Sequence, residues 1–521
     1  MLRAFRGTRP AGVVSRLLAD FLIIQLSMIL AVAVSLVYQL VFGNSARAVT
    51  NVEELRHYFF TFFWLLSPIF PLVFLFSGFY THSRSYMGKY KTWVILKGVG
   101  VALMLFIAAN FLLLGRDMVG RAAVVAFAVL AAVGLSSVRL LKCAFEKRYR
   151  ITPNRANPAP EEAGHVLVVG GAGYIGTLLV ERLLKAGRKV RILDNLTYGA
   201  EGLNSLEKHP DLELMLGDCR NIQDVVKAVN GVDSIIDLAA IVGDPACEQD
   251  RGAASEINYA ATRMLVEIAK GHGISRFLFA SSCSVYGATD LEVDENSAVN
   301  PISLYGQTKV DSEKALLKAA SKTFHPTVLR FATVFGLGYR PRFDLVVNLL
   351  TAKAWKEGVM TIYNGEQWRP FIHVRDIVEA IFRVLEAPAN QISAEIFNVG
   401  DSRLNHTLAE VAEVIRGVFP EARVENVENT DRRNYRVNFD KLRNRLGFRA
   451  QHTLRDGVEE LKRAFDEGLI TDYTDLRYHN QRFLAATGSP GNKDEVDGLV
   501  MAAFATPPQL KPRTFSAAAG G

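Results

Sequence analysis

Three residues stand in an order that suits proton and hydride chemistry at an alcohol carbon. Ser282 closes an apolar run in "FASSCSVYG", Tyr305 follows 23 residues later in "YGQTK", and Lys309 lies four beyond it. A Tyr and a Lys at i and i+4 share one face of a helix. A free phenol has a pKa of about 10, too high for a base at neutral pH, and a neighbouring ammonium stabilises the phenolate. A serine hydroxyl can complete the proton path to a substrate oxygen. Cys283 and Ser284, directly after Ser282, are accessory candidates. A lone YxxxK is common by chance, so its weight depends on what precedes it.

What precedes it is "GGAGYIG", residues 170–176. Gly170, Gly173 and Gly176 have the spacing at which a pyrophosphate can rest on bare backbone N–H groups, where a Cβ would hold it away. Tyr174 and Ile175 belong to the same cradle. The glycines follow a strand-like run, open a helical one, and are followed by Asp194 at the end of the next strand. A carboxylate there accepts from the adenosine ribose hydroxyls and repels a 2′-phosphate. No Arg or Lys occurs in "DNLTYG", residues 194–199, so the reading is NAD and not NADP. Asn195 adjoins that carboxylate, and Asp218 and Cys219 in "GDCRN" end the third strand. Asp218 suits an adenine contact and, equally, a turn or helix cap.

The elements that must position these groups alternate regularly. Apolar, β-branched runs occur at 165–169, 189–194, 212–217, 233–238, 276–281, 327–331 and 394–399, with helical periodicity between most of them, as at 177–186 and 260–270. This pattern predicts an α/β doubly wound parallel sheet, a Rossmann domain, over 165–485, with a smaller C-terminal lobe. Residues 151–164, "ITPNRANPAPEEAG", read as a linker, and 486–521 read as a disordered tail.

With 521 residues the chain is long enough for two or three domains, and 49% hydrophobic with 22% charged residues excludes a disordered chain. Cys143, Cys219, Cys247 and Cys283 are far apart and form no CxxC pair. That excludes a disulfide scaffold and the common cysteine zinc sites, and no metal site is expected. Net charge is +7, but residues 1–150 carry 17 Lys/Arg against 5 Asp/Glu and the rest carry 43 against 48. The basic excess therefore sits in the N-terminal segment and argues for a lipid bilayer as partner, not nucleic acid.

Phe21–Phe42 is a charge-free run of 22 residues, and similar apolar runs follow at about 58–80, 93–115 and 122–141. Twenty-two helical residues span roughly 33 Å against a hydrocarbon core of about 30 Å. Four transmembrane helices over residues 1–150 are expected. Lys/Arg cluster before the first, between the second and third, and after the fourth, which places both termini and all that follows residue 150 in the cytoplasm. Asp20 reads as an i,i+4 partner of Arg16, Asn110 as a helix–helix contact, and Pro71 with Pro68 as a kink.

Residues 165 to about 484 resemble the extended short-chain dehydrogenase/reductase superfamily, the NAD-dependent nucleotide-sugar epimerases and dehydratases. The likeness rests on "VGGAGYIG", "LDNLTYG", "GDCRN", "LAA", "SSCSVYG", "YGQTK" and "RPFIHVRD" in family order. Val169 departs from it, since relatives usually have Thr there. The four helices ahead of the domain resemble the membrane part of bacterial polysaccharide-synthesis enzymes. The resemblance implies Ser282, Tyr305 and Lys309 as the catalytic set and Gly170, Gly173, Gly176, Asp194, Asn195 and Asp218 as NAD contacts. Ala239 and Asn258 match weaker NAD contacts. Asn348 and Arg369 fall where relatives bind the substrate diphosphate, and Arg432 and Arg433 fall near another phosphate arginine. Thr333 replaces the usual Asn of a substrate contact. His373 in "FIHVRD" reads as a packing residue between lobes. Relatives are often homodimers.

The resemblance also bears on the reaction. Dehydratases resemble "TDEVYG", and their Asp–Glu pair falls here on Cys283 and Ser284, neither of them acidic. A 4-epimerase needs no extra acid, so the expectation is a membrane-anchored, NAD-dependent 4-epimerase of a UDP-sugar, serving polysaccharide synthesis beside membrane glycosyltransferases. The alternatives are a dehydratase, an epimerase of a polyprenyl-diphosphate-linked sugar, a fucose-synthase-like role for Cys283, and a non-catalytic scaffold that binds NAD and sugar nucleotide.

Overall fold

The computed structural model describes residues 10–42, 60, 69–71, 73–74, 98–108, 121–148, 164–429 and 434–488. The chain divides into two compact units, Met1–Pro158 and Ala159–Gly521.

In the first unit α1 (Pro10–Phe42) and α2 (Arg121–Arg148) are long helices. They pack closely because the contact is small: a Cβ at Gly134 would stand 3.0 Å from Ile23 Cγ2. Phe70, Phe106 and Phe127 are fully buried among Ile24, Met28, Ala31 and Ala131, with Phe70 edge-on to Phe127 at 5.5 Å. Among the described residues no helix is long and apolar enough to cross a membrane. In α1 the described side chains run unbroken only over 18–34. The expected four spans are therefore not carried by the described residues. The second and third expected helices, Pro68 and Asn110 lie largely or wholly outside them, as do the linker up to residue 163 and the tail beyond 488.

The second unit is built on a seven-stranded parallel sheet: β1 (His165–Val169), β2 (Lys189–Asp194), β3 (Leu212–Leu216), β4 (Ser234–Asp237), β5 (Arg276–Ser282), β6 (His325–Phe331) and, later in the chain, β9 (Glu395–Val399). Their spatial order is β9-β6-β5-β4-β1-β2-β3. All seven coincide with the apolar runs of the sequence. The order reverses direction between β1 and β4, and a doubly wound sheet opens its binding crevice at such a point, beyond the carboxyl ends of the strands. The central strands read as unbroken apolar runs because both faces are covered: Val166 to Val169 are all buried. Among the covering helices are α3 (Tyr174–Lys185), α4 (Thr262–His272) and α5 (Leu304–Ala319).

The smaller lobe has its own core of Val347, Leu350, Met360, Phe371, Val411, Ile415 and Val458. It includes α6 (Val346–Glu357), a short sheet in which β7 (Thr333–Phe335) pairs parallel with β8 (Trp368–His373), and α7 (Val374–Glu386). The short strands were not separable by sequence pattern, being too brief for periodicity to show. The chain then returns to the sheet edge as β9 and ends, within the described residues, in α8 (Asn480–Thr487).

Candidate active site

Two adjoining cavities open at the carboxyl ends of the sheet, one of about 660 Å³ and one of about 120 Å³. Gly170, Gly173, Tyr198, Leu238 and Ala240 line both.

The glycine loop has the geometry a dinucleotide needs. Gly170 has φ +79°, and a Cβ on it would lie 2.8 Å from the Ala239 backbone nitrogen. A Cβ on Gly176 would lie 2.5 Å from the Gly170 carbonyl oxygen. The N-terminus of α3 is capped by no side chain, which leaves its N–H groups to an anion. Tyr174 and Ile175 face the larger cavity, and the Tyr174 hydroxyl donates to the Gly336 carbonyl at 2.5 Å.

The smaller cavity is lined by Asp194, Asn195, Asp218, Cys219 and Ala239 and by no Lys or Arg. Asp194 accepts from the N–H groups of Ala172 at 2.9 Å and Leu196 at 2.8 Å. Burial still pushes its carboxyl up. A 2′-phosphate would meet the Asp194 carboxylate there with no Lys or Arg lining the cavity, so the pocket fits NAD. Asp218 closes a turn and stands where an adenine could meet it. It lines this pocket and also accepts from Arg220 through the backbone N–H (2.8 Å) and the guanidinium (2.8 and 3.0 Å). Asn258 does not reach either cavity. Its amide is buried against the Ile241 N–H (2.8 Å) and carbonyl (2.9 Å), from a π-helical turn at Glu256–Ala261. It shapes the loop after β4 and is no direct NAD contact.

Ser282, Tyr305 and Lys309 meet on the wall of the larger cavity. Ser282 ends β5, Ser303 caps α5 by accepting from the Gly306 N–H at 3.2 Å, and the first turns of α5 then carry Tyr305 and Lys309 inward. Ser282 Oγ accepts from the Ser284 N–H at 3.2 Å, and its hydroxyl favours the charged form of the Tyr305 phenol. The Lys309 ammonium is buried, donates to the Ala280 carbonyl at 2.7 Å and stands over the rings of Phe279 (4.8 Å) and Tyr305 (5.7 Å). Burial pulls Lys309 down to about 8, against the opposing pull of Asp237. Burial lifts Asp237 to about 6, with Lys309 opposing. Lys309 stands beside the Tyr305 ring and is not among the largest influences on its phenol. Desolvation pushes the phenol well up, Cys247 adds to this, and the lowering charge is Arg342.

Cys283 turns away from the cavity. Its Sγ donates to the Arg330 carbonyl at 3.4 Å, it is 1% exposed, and burial pushes the thiol far up. Cys283 does not line the larger cavity, so its thiol is not presented to a substrate there. Ser284 does line it, with a buried Oγ that has no hydrogen-bond partner among the described residues. Beneath these residues Arg330 forms a buried fork to Glu313 (3.0 and 2.7 Å) and donates to Tyr286 (2.9 Å). This ties β6 to α5 and fixes the segment that carries Ser282.

In the substrate lobe Thr333 and Arg369 line the larger cavity. Arg369 donates to Gln367 at 2.9 Å and lies 5.9 Å from the Tyr435 ring centre. Asn348 does not line it. Its oxygen accepts from the Gly336 N–H (3.0 Å), and its NH2 donates to the Gly336 (3.2 Å) and Arg342 (3.0 Å) carbonyls. It braces the 336–342 loop and has no capacity left for a diphosphate. Arg432 and Arg433 lie outside the described residues. His373 is a packing residue, bonded to Glu460 at 2.9 Å and stacked on His452 at 4.3 Å.

The cavity also has walls that sequence reasoning missed: Tyr198, Asp244, Arg340, Arg342 and Lys353. Arg342 forms a two-pronged pair with Asp344 (3.0 and 2.8 Å). Burial alone would raise the Asp344 carboxyl, and the guanidinium outweighs this and holds it low. The signal was present in "GYRPRFD", two arginines in a Gly- and Pro-containing loop just after a strand.

A doubly wound sheet, a glycine cradle without a side-chain cap, a ribose carboxylate and a Ser/Tyr/Lys set define an NAD-dependent enzyme acting on an alcohol. The profile of the NAD dependent epimerase/dehydratase family matches residues 166–400. A putative UDP-glucose 4-epimerase of Methanocaldococcus jannaschii is 29% identical over 307 residues, which is 57% of this chain and 96% of that protein. The UDP-glucose epimerase YtcB of Bacillus subtilis is 30% identical over 47% of this chain and 80% of its own length. The structure of UDP-glucuronic acid 4-epimerase from Bacillus cereus, with UDP-glucuronic acid and NAD, superposes with a TM-score of 0.53 at 25% identity. It covers 57% of this chain and 99% of that one. The chain belongs to the NAD-dependent epimerase/dehydratase family, and NAD is its cofactor.

Proposed function

We propose that the enzyme is a 4-epimerase of a UDP-sugar. One observation carries the reading. Ser282, Tyr305 and Lys309 converge on the larger cavity, while the position after Ser282 that would supply an eliminating acid is a cysteine facing the other way. When bound, NAD supplies a hydride acceptor for carbon 4 and, when oxidised, a positive ring. Tyr305, as a phenolate favoured by the oxidised cofactor's positive ring, would receive the proton of the 4-hydroxyl, Ser282 on the same wall would hold the oxygen in line, and Lys309 sets a positive charge beside the Tyr305 ring. Turnover of the keto-sugar within a cavity of about 660 Å³ then presents its other face for reduction. Arg369 and Lys353 supply positive charge for a diphosphate. That the relatives named above are epimerases of UDP-sugars supports the choice of nucleotide.

A dehydratase remains as a second reading because Asp244 lines the same cavity and its charge acts on the Tyr305 phenol. A proton NMR time course with NAD and a panel of UDP-, GDP-, CDP- and dTDP-sugars separates the two. A second anomeric signal growing to an equilibrium ratio supports epimerisation. A new deoxy-methyl signal would replace it by dehydration, with Asp244 as the acid.

We further propose that the first unit holds the enzyme on a membrane, with the catalytic unit on the cytoplasmic side and its product close to membrane glycosyltransferases. The support is an inverted pattern. Leu18, Leu22, Leu26, Val34, Val37 and Val41 of α1 are each more than half exposed, while Asp20, Gln25 and Ser27 are buried. Aliphatic side chains outside, with Asp20, Gln25 and Ser27 buried beside the apolar core, suit hydrocarbon as surroundings. Retention of the full chain in carbonate-washed membranes is expected, and complete release would overturn the anchor. Full activity of residues 151–521 on soluble nucleotide sugars would exclude a lipid-linked substrate.

A further inference from the structure

Arg340 is 8% exposed and lines the larger cavity, yet among the described residues it has no carboxylate at ion-pair distance. Its Nε donates to the Arg477 carbonyl at 2.7 Å and its Nη2 to Asn480 Oδ1 at 2.8 Å, both neutral acceptors. The rest of its fork has no partner among the described residues. Neighbouring Arg342, by contrast, is neutralised by Asp344. Asp344 acts on Arg340 only from beyond ion-pair distance, and a buried guanidinium without a direct ion-pair partner is costly unless an anion completes it. Burial pulls its pKa down to about 10, a sign of that cost.

Its position narrows the anion. The guanidinium stacks on the Tyr198 ring at 3.9 Å, and Tyr198 is one of the residues that line both cavities. A dinucleotide with its adenosine in the smaller cavity and its reactive ring beside Tyr305 must pass its diphosphate across that shared wall. Gly170 and Gly173 of the cradle line both cavities as well. The segment that aims Arg340 lies well past residue 400, where the family profile ends. There α8 packs Phe483 on Tyr198 at 5.2 Å, and the Asn480 N–H donates to Asp344 at 3.3 Å.

We propose that Arg340, oriented by Asn480 and the Arg477 carbonyl, binds the diphosphate of NAD together with the glycine cradle. This rests on the NAD-binding reading of the site. The chemistry is recognition of a diphosphate by a planar fork, and the sugar nucleotide's diphosphate is the other possible source.

The test is calorimetric titration of full-length, cofactor-depleted enzyme with NAD and, separately, with UDP. The variants are Arg340→Ala, Arg340→Lys and Asn480→Ala. Arg340→Ala is expected to lose about tenfold or more in NAD affinity, as for a charge-assisted contact, with UDP affinity unchanged. Arg340→Lys recovers part of the loss, and Asn480→Ala, which keeps the charge but frees its direction, falls between. If Arg340→Ala melts early, Arg340→Lys and Asn480→Ala decide alone. Wild-type protein that fails to bind NAD would overturn the cofactor reading itself. Wild-type binding matched by all three variants would overturn the role of Arg340. Loss of UDP affinity with NAD affinity intact would overturn the assignment to NAD and give Arg340 to the sugar nucleotide.

Discussion

The Lys309 ammonium stands 5.7 Å from the centre of the Tyr305 ring and donates at 2.7 Å to the Ala280 carbonyl. The pair is thus coupled through space and not by a hydrogen bond, and burial in the cofactor-free protein pushes the phenol up. Tyr305→Phe keeps the ring and removes the proton carrier. Turnover should fall by about 10³-fold, in the range of lost acid–base catalysis, with NAD affinity within about twofold of wild type. Anomeric NMR rates and NAD titration check it together, and a variant that stays active would remove Tyr305 from the chemistry.

Lys309 carries a pH signature. Its folded pKa of about 8 lies below its ordinary 10.5, so between those values the unfolded chain binds the extra proton. Stability from this group therefore rises with pH across that window, and the penalty is complete below about 8. Wild type should gain melting temperature relative to Lys309→Met from pH 8 to 10 in cofactor-free protein. Parallel melting curves at all pH values would show that the ammonium is not buried as described.

Cys283 and Ser284 separate by direction. Cys283→Ala should leave turnover within about twofold and cost stability, since a buried sulfur is removed beside the Arg330 carbonyl. Ser284→Ala should raise KM or lower turnover with little change in melting, because its Oγ has no partner among the described residues to lose. The reverse outcome, a catalytic defect in Cys283→Ala alone, would restore the thiol to the mechanism.

Asn348 and Arg369 separate in the same way. Asn348→Ala strips three hydrogen bonds from the buried 336–342 loop and should destabilise by about 2–3 kcal/mol, seen in denaturant unfolding. Arg369→Ala should instead raise the KM for the sugar nucleotide. A selective KM effect in Asn348→Ala with unchanged stability would mean that its amide leaves the loop to meet substrate.

The buried Arg330–Glu313 fork offers a stability test apart from chemistry. Glu313→Gln breaks a two-pronged pair whose members are each 4% exposed, and a loss of about 3–5 kcal/mol is expected in chemical unfolding. An unperturbed unfolding midpoint would show that solvent reaches the pair.

The sequence by itself determined the parallel sheet, strand by strand, because buried strands of a doubly wound fold are continuous apolar runs that local composition exposes. It also determined the glycine cradle, Asp194 and the Ser/Tyr/Lys set, since each depends on fixed local spacing. Only the tertiary structure decided which polar side chains reach the cavity. Asn348, Asn258 and Cys283 carry the right chemistry at plausible positions, yet their hydrogen bonds are spent on backbone groups distant in sequence. Arg340 and Tyr198 lie 142 residues apart in the chain and stack only because α8 returns to the mouth of the cleft. The depression of Lys309 and the elevation of Tyr305 arise from burial, a property of the packed molecule that no spacing rule contains.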